Sequence, residues 1–247
     1  MSKQTGVNML HLHENSVGGS TALHPTLIWD DEAAVLIDTG MPGSWERIRT
    51  AMLEAGVSPA ILKAVILTHQ DFDHIGSVPE IIAEAEQAKV YAHKLDQPYI
   101  EGTLPLIKTS PEAMAPLLEM LPEEERQKAI DFFGNPPKAK VDHTLDDGDE
   151  LPYGGGIRVI HTPGHTDGHI SLYLVQSKTL VAGDALICVN GTLQGPVART
   201  TLDMEEARRS LAKLLDYEIE SVICYHGGRS DQNVKGQLEQ LAQRDPA

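Results

Sequence analysis

Short continuous apolar runs alternate with helically spaced apolar positions along most of this chain. Residues 26–29 and 33–37, parted by Asp30-Asp31, predict a β-hairpin. Ser44 then precedes Ile48, Met52 and Leu53 at helical spacing and Gly56 closes the segment, so a capped helix is expected. Residues 64–67 form a partly β-branched run that predicts a buried strand. Ser77 and Glu80 have the spacing of a capping box for a helix over about 77–88, and 89–92 predicts a further short strand. In the second half, strands are expected at 156–160, 170–174 and 179–182, with a turn at 176–178. Asp203 and Glu206 open a helix to about Leu215, and a strand at 221–225 and a helix at 230–243 complete the pattern. Each half reads as strands followed by helices, which predicts an α/β fold with a loose internal pseudo-symmetry.

Residues 96–140 break this alternation. Pro98, Pro105, Pro111, Pro116, Pro122, Pro136 and Pro137 punctuate short helices, and Glu123-Glu124-Glu125 after Pro122 places acids at the positive end of a helix dipole. One domain over 1–247 is therefore expected, with 96–140 as a helical insertion. That insertion would be a lid bringing Tyr99, Phe132 and Phe133 to a site as apolar walls, a homodimer contact, or plain packing.

Composition narrows the function classes. The 41% hydrophobic content of the 247 residues suits a soluble domain, and no apolar run approaches the about 20 residues that cross a bilayer. The start, Met1 to Gly6, lacks the apolar core of a secretory signal, so a cytoplasmic product is expected. Cys188 and Cys224 fall in no metal or redox spacing and read as reduced, buried hydrophobes. A net charge of −16 repels phosphate backbones and favours cations, which argues against nucleic acid as partner. A small-molecule substrate is expected instead.

The densest chemistry is Thr68-His69-Gln70-Asp71-Phe72-Asp73-His74-Ile75-Gly76, which directly follows the 64–67 strand. Two imidazoles and two carboxylates on one strand-to-helix turn are a metal-ligand density, and Gly76 is expected to relieve the backbone where the helix begins. Three more polar groups follow apolar strands in the same way: His165, Asp184 and His226. Strand ends at one sheet edge lie near one another. The seven candidate ligands His69, Asp71, Asp73, His74, His165, Asp184 and His226 suffice for two divalent ions with positions left for water. His11, His13, His24, His93, His143 and His161 read as surface or satisfied histidines, His161 packing beneath the His165 loop. His169 reads as structural or supporting, Asp38 as orienting the histidine loop, and Lys108 and Arg199 as solvated charges.

In Asp38-Thr39-Gly40, the 69–76 segment, His161-Thr162-Pro163-Gly164-His165-Thr166, Gly183-Asp184-Ala185 and His226-Gly227-Gly228, the chain resembles the metallo-β-lactamase superfamily. The resemblance implies an αββα sandwich with a two-metal site on one edge. By the family pattern His69, Asp71 and His165 would hold one ion, Asp73, His74 and His226 the other, and Asp184 would bridge them. A metal-bridging hydroxide would attack a carbonyl carbon, with Asp73 orienting the nucleophile or moving a proton. Asp184 and the missing signal place the chain nearer the glyoxalase-II-like and lactonase-like hydrolases than the β-lactamases. Glyoxalase II, however, carries a helical glutathione-binding region after its last metal histidine, where 227–247 stand here.

Asp71 departs from the usual pattern, which has histidine there. Three carboxylates and a bridging hydroxide cancel the charge of two divalent ions, and an oxygen donor suits a harder ion than zinc. Zinc is expected, with iron or manganese as alternatives. The functional expectation is a dinuclear-metal-dependent hydrolase of a small ester, lactone or thioester; a di-iron redox protein, suggested by the flavodiiron branch's carboxylate at this position, and a small-molecule phosphodiesterase are the alternatives.

Overall fold

Side chains on successive strand residues point to opposite faces, and both faces are apolar in the central strands of this protein. Ile28, Val35, Ile37, Ala64 and Ile66 share one core with Ile157, Val159, Ile170, Leu172 and Val181. Their alternates Leu27, Leu36 and Val65 pack outward on Ile48, Met52, Val78 and Ile81. On the other side Leu180 and Val222 pack outward on Leu211, Leu214, Leu238 and Leu241. Two sheets therefore face each other, and helices cover both outer faces. That is an αββα sandwich, and burial on both faces is why its strands read as continuous apolar runs.

The structure is a computed structural model that describes residues 5–16 and 19–243; residues 1–4, most of the start read above for a secretory signal, lie outside it, as do 244–247. The first sheet runs, in spatial order, Thr5–Met9, Thr26–Asp30, Ala34–Ile37, Leu62–Ile66, Lys89–His93 and His143–Leu145. It is antiparallel up to Ala34–Ile37 and parallel beyond. The second runs Gly228–Ser230, Ser221–Cys224, Thr179–Val181, Ile170–Leu174, Ile157–His161 and Glu150–Leu151, with only Thr179–Val181 and Ser221–Cys224 parallel. Helices Trp45–Glu54 and Val78–Glu84 lie on the first sheet, Met204–Lys213 and Val234–Gln243 on the second. Among the described residues no helix is long and apolar enough to cross a membrane.

Several local expectations are corrected. Ser44 precedes its helix but caps nothing: its hydroxyl donates to Glu14 Oε1 at 2.7 Å. Ser77 and Glu80 form no capping box. The Ser77 hydroxyl donates to the Met41 carbonyl at 2.7 Å, and Glu80 accepts from the Gly43 N–H at 2.8 Å, so both side chains hold the 41–44 loop instead. That helix stops at Glu84, and Leu53 is exposed rather than in the core. Gly76 has right-handed helical angles, φ −51 and ψ −49, so left-handed freedom is not its reason. A Cβ at this position would run into the backbone of Gly40, Met41 and Pro42. Asp203, by contrast, accepts from the Glu206 N–H at 2.9 Å as a cap should. The 96–140 insertion folds as Gln97–Ile100, Pro111–Met120 and Glu123–Phe133.

Candidate metal centre

The seven candidate ligands all stand just past strand ends on one edge of the sandwich. His69 to His74 follow Leu62–Ile66, His165 follows Ile157–His161, Asp184 follows Thr179–Val181, and His226 follows Ser221–Cys224. Within the first loop Phe72–Ile75 forms a single helical turn beginning after Asp71. That turn sets Asp73 and His74 apart from His69 and Asp71, and two groups result: His69, Asp71, His165 and Asp184 in one, and Asp73, His74 and His226 in the other, with ligand atoms inside each group within 4.8 Å of one another.

Asp184 lies between the groups. Its Oδ1 is 3.3 Å from His74 Nε2, and its Oδ2 is 3.3 Å from His165 Nε2 and 3.5 Å from His226 Nε2. Asp73 Oδ2 stands 3.3 Å from His226 Nε2 and 3.9 Å from His74 Nε2. In the first group Asp71 Oδ2 is 3.0 Å from His165 Nε2 and 3.2 Å from His69 Nε2. His69 Nε2, His74 Nε2 and Asp184 Oδ1 are buried without any hydrogen-bond partner. Buried polar atoms are almost always satisfied, and three such orphans aimed into one cluster fit a cation.

Burial alone raises carboxyl pKa values and lowers imidazole ones, and neighbouring charges then decide each group. Burial and the nearby His74 charge push His69 down to about 4. His74 goes the other way, because Asp38, Asp184 and Asp73 outweigh its burial and hold it well above the usual imidazole range. Burial opposes protonation of His226 too, yet Asp184 and Asp73 raise it to about 10. Asp71, despite burial, is held well below the usual carboxylate range by His69, His165 and Lys108. Asp184 is held well below it by His226 and His74, and Asp73 is lowered by the same two imidazoles. The carboxylates thus favour the charged forms of His74 and His226 in the metal-free protein, the same negative charges that would attract a metal ion.

Residues behind the ligands fix their orientation. Asp38, placed at positive φ (60°), accepts from the Thr68 N–H and hydroxyl, both at 2.8 Å, and lies 2.9 Å from His74 Nδ1. His169 Nε2 accepts from the Asp184 N–H at 3.0 Å while its Nδ1 faces the Thr162 hydroxyl at 2.8 Å, which places the bridging carboxylate. Tyr225 donates its hydroxyl to the Asp73 carbonyl at 2.5 Å and accepts from the Gly40 N–H at 3.1 Å.

Three further residues, Asp96, Tyr225 and Lys108, hold the site together without a sequence motif to mark them. Asp96, fully buried and with its pKa raised by that burial, accepts from Gln70 N–H at 2.9 Å, Thr166 Oγ1 at 2.9 Å and Gly168 N–H at 3.1 Å. It clasps the loop of His69 to the loop of His165. Tyr225, expected only as the end of the 221–225 strand, joins the Gly40 loop to Asp73. Lys108, expected as a solvated charge, is instead inside the site: its Nζ lies 2.5 Å from Asp71 Oδ2 and 2.7 Å from His165 Nε2. A lone lysine or aspartate in a proline-rich stretch carries no sequence signal for such contacts. Arg199 is exposed, as expected. His161 stacks on His93 at 4.2 Å and meets the Asp167 carbonyl, and His24 is buried against the Leu10 carbonyl, so both are satisfied histidines. Cys188 and Cys224 are free and buried.

Both groups are consistent with a metal ion by their donors and orphaned atoms, as the expectation of two ions requires: His74 Nε2 in the second, with Asp184 Oδ1 between them, and His69 Nε2 in the first, where Asp71 and His165 also meet the Lys108 ammonium.

Comparison with known proteins agrees with this geometry. The family described as "Metallo-beta-lactamase superfamily" matches residues 24–226. The probable metallo-hydrolase YflN of Bacillus subtilis (strain 168) is 35% identical over 222 residues, covering 85% of this chain and 81% of that one. The hydroxyacylglutathione hydrolase GloC of Haemophilus influenzae is 32% identical over 184 residues, 71% of this chain and 69% of that one. Among solved structures, a metallo-beta-lactamase family protein from Thermus thermophilus superposes with a TM-score of 0.69 at 26% identity, covering 96% of this chain and 78% of that one. Fold and site together define a metallo-hydrolase. The chain belongs to the metallo-β-lactamase superfamily.

Proposed function

We propose that this protein hydrolyses a small ester, lactone or thioester at the His/Asp cluster with the help of a divalent metal ion. The observation that carries the reading is the convergence of the seven ligand side chains on one sheet edge, with His69 Nε2, His74 Nε2 and Asp184 Oδ1 buried and unpartnered among them. Asp73, His74, His226 and Asp184 would hold the ion. Two imidazoles and two carboxylates suit zinc better than a hard oxygen-seeking ion, and Asp71, the residue that suggested iron or manganese, is engaged by Lys108. A divalent ion in such a site supplies a water nucleophile at neutral pH and polarises a carbonyl oxygen.

The chain's own residues do the rest. Asp73 and His226, each about one-third exposed, form the solvent-facing side of the cluster, where substrate enters. Asp73, on that solvent-facing side, is placed to take a proton from the attacking water and return it to the leaving group. Phe72 packs on Phe132 at 5.0 Å and Phe133 at 5.2 Å, so the insertion adds an apolar surface beside the ligand loop, which favours small acyl groups over charged polymers. The similarity to a hydroxyacylglutathione hydrolase supports thioesters as one class to test.

The test is a panel of simple esters, lactones and thioesters offered to zinc-loaded protein, with Asp184→Asn as control. Turnover of at least one class, removed by chelator and by the substitution, is expected. A metal-loaded protein inert toward every class would sink the proposal.

A further inference from the structure

Lys108 is built into the first group rather than lying across it. The N–H of the preceding residue, Ile107, donates to Gln70 Oε1 at 3.0 Å, and Gln70, itself buried, sits between His69 and Asp71 and donates its own N–H to Asp96 at 2.9 Å. The loop that carries Lys108 is thereby pinned to the ligand loop. From that anchor the ammonium reaches Asp71 Oδ2 at 2.5 Å and His165 Nε2 at 2.7 Å, and its side chain is only 19% exposed. Charge-assisted contacts at these distances are strong, and a lysine held against two ligand atoms competes directly with any metal for them.

We infer that the Lys108 ammonium is the resident cation of the first position, so that the protein takes one divalent ion, at Asp73, His74 and His226 with Asp184, in place of two. This inference rests on the proposed metal-dependent reading of the cluster. The charge count agrees with it. Asp71, Asp73 and Asp184 bring three negative charges, and one divalent ion with one ammonium brings three positive ones. A second divalent ion with Lys108 still in place would leave the cluster at plus two before any bound hydroxide is counted, with the added ion sharing Asp71 Oδ2 with a like charge. Asp71 and Lys108 thus explain each other: a histidine at 71 could not hold the ammonium as a carboxylate does, and without the ammonium the carboxylate would return to a metal.

Zinc content per chain, measured by native mass spectrometry after loading and desalting, tests this without reference to activity. Wild-type protein is expected to retain about one zinc, and Lys108→Met and Lys108→Gln about two each, as open four-donor positions require. Both substitutions remove the ammonium but leave side chains of different polarity, so failure of one to fold leaves the other informative. Two zinc ions in the wild type, or one in every folded variant, overturns Lys108 as the resident cation while leaving the hydrolase reading intact. No zinc in any of the proteins overturns both.

Discussion

Asp38 and His74 lie 2.9 Å apart, carboxylate to Nδ1, beneath the cluster, and this pair sets the direction in which two imidazoles face. With Nδ1 of His74 bonded to Asp38, the neutral ring presents the Nε2 lone pair to the cluster. The Thr68 hydroxyl, which donates to the same Asp38 oxygen, lies 3.0 Å from His69 Nδ1 and can accept its proton, so His69 is oriented the same way. One buried carboxylate therefore organises a ligand from each group. Asp38→Ala is expected to weaken zinc binding about 10- to 100-fold, the usual penalty for losing such a partner. Competition against a fluorescent chelator measures it; unchanged affinity would mean the ligands are oriented by other contacts.

In the metal-free protein, stability should depend on pH through His226. Burial would lower the His226 pKa, but Asp184 and Asp73 raise it from 6.5 to about 10. A raised folded-state value means that the His226 pairing stabilises fully below about 6.5 and is lost as pH rises through about 10. The difference in melting temperature between chelator-stripped wild type and His226→Gln should therefore shrink steadily across that interval. Zinc competes with the same proton, so apparent zinc affinity should rise over it. A stability gap independent of pH would refute the assignment.

Gly76 gives a third prediction. Its backbone is already helical, so alanine is not barred by φ; what bars it is the Gly40 to Pro42 backbone against which it packs. Gly76→Ala should cost about 1–3 kcal/mol, the scale of overpacking a closed interior. Urea titration would show this, and a neutral or stabilising change would mean that the 40–42 loop yields freely.

Tyr225→Phe supplies a fourth. The substitution keeps the ring, which lies 3.9 Å from His74, but removes the hydroxyl that joins Gly40 N–H to the Asp73 carbonyl. It leaves a buried N–H unpaired, for which about 1–3 kcal/mol of stability is the expected loss. Denaturation of the two metal-free proteins side by side decides it; equal midpoints would show that another group takes up the N–H.

What the sequence revealed followed from local signals. Ile66, Ile160, Val181 and Cys224 lie at or next to the ends of apolar strands, and the ligands come within a few residues after them, so the strands and the metal-ligand cluster were legible together. The short strands Thr5–Met9 and His143–Leu145 were not, because neither carries a continuous apolar run, and the hairpin strands Leu12–Ser16 and Gly19–Leu23 are largely polar or small. Ser77 and Glu80 have capping-box spacing, but tertiary partners in the 41–44 loop took both side chains. Asp96, Gln70 and Lys108 matter only through residues far away in sequence, from 26 positions (Gln70 to Asp96) to 72 (Asp96 to Gly168). No pattern along the chain announces such contacts.

This edge of the sandwich is where the working metal is expected to bind. Crystals of zinc-loaded, active protein, recorded on both sides of the zinc absorption edge, would locate it directly. An anomalous peak within ligand reach of Asp73, His74, His226 and Asp184 is the predicted result; an active, zinc-loaded protein with no peak there would contradict it.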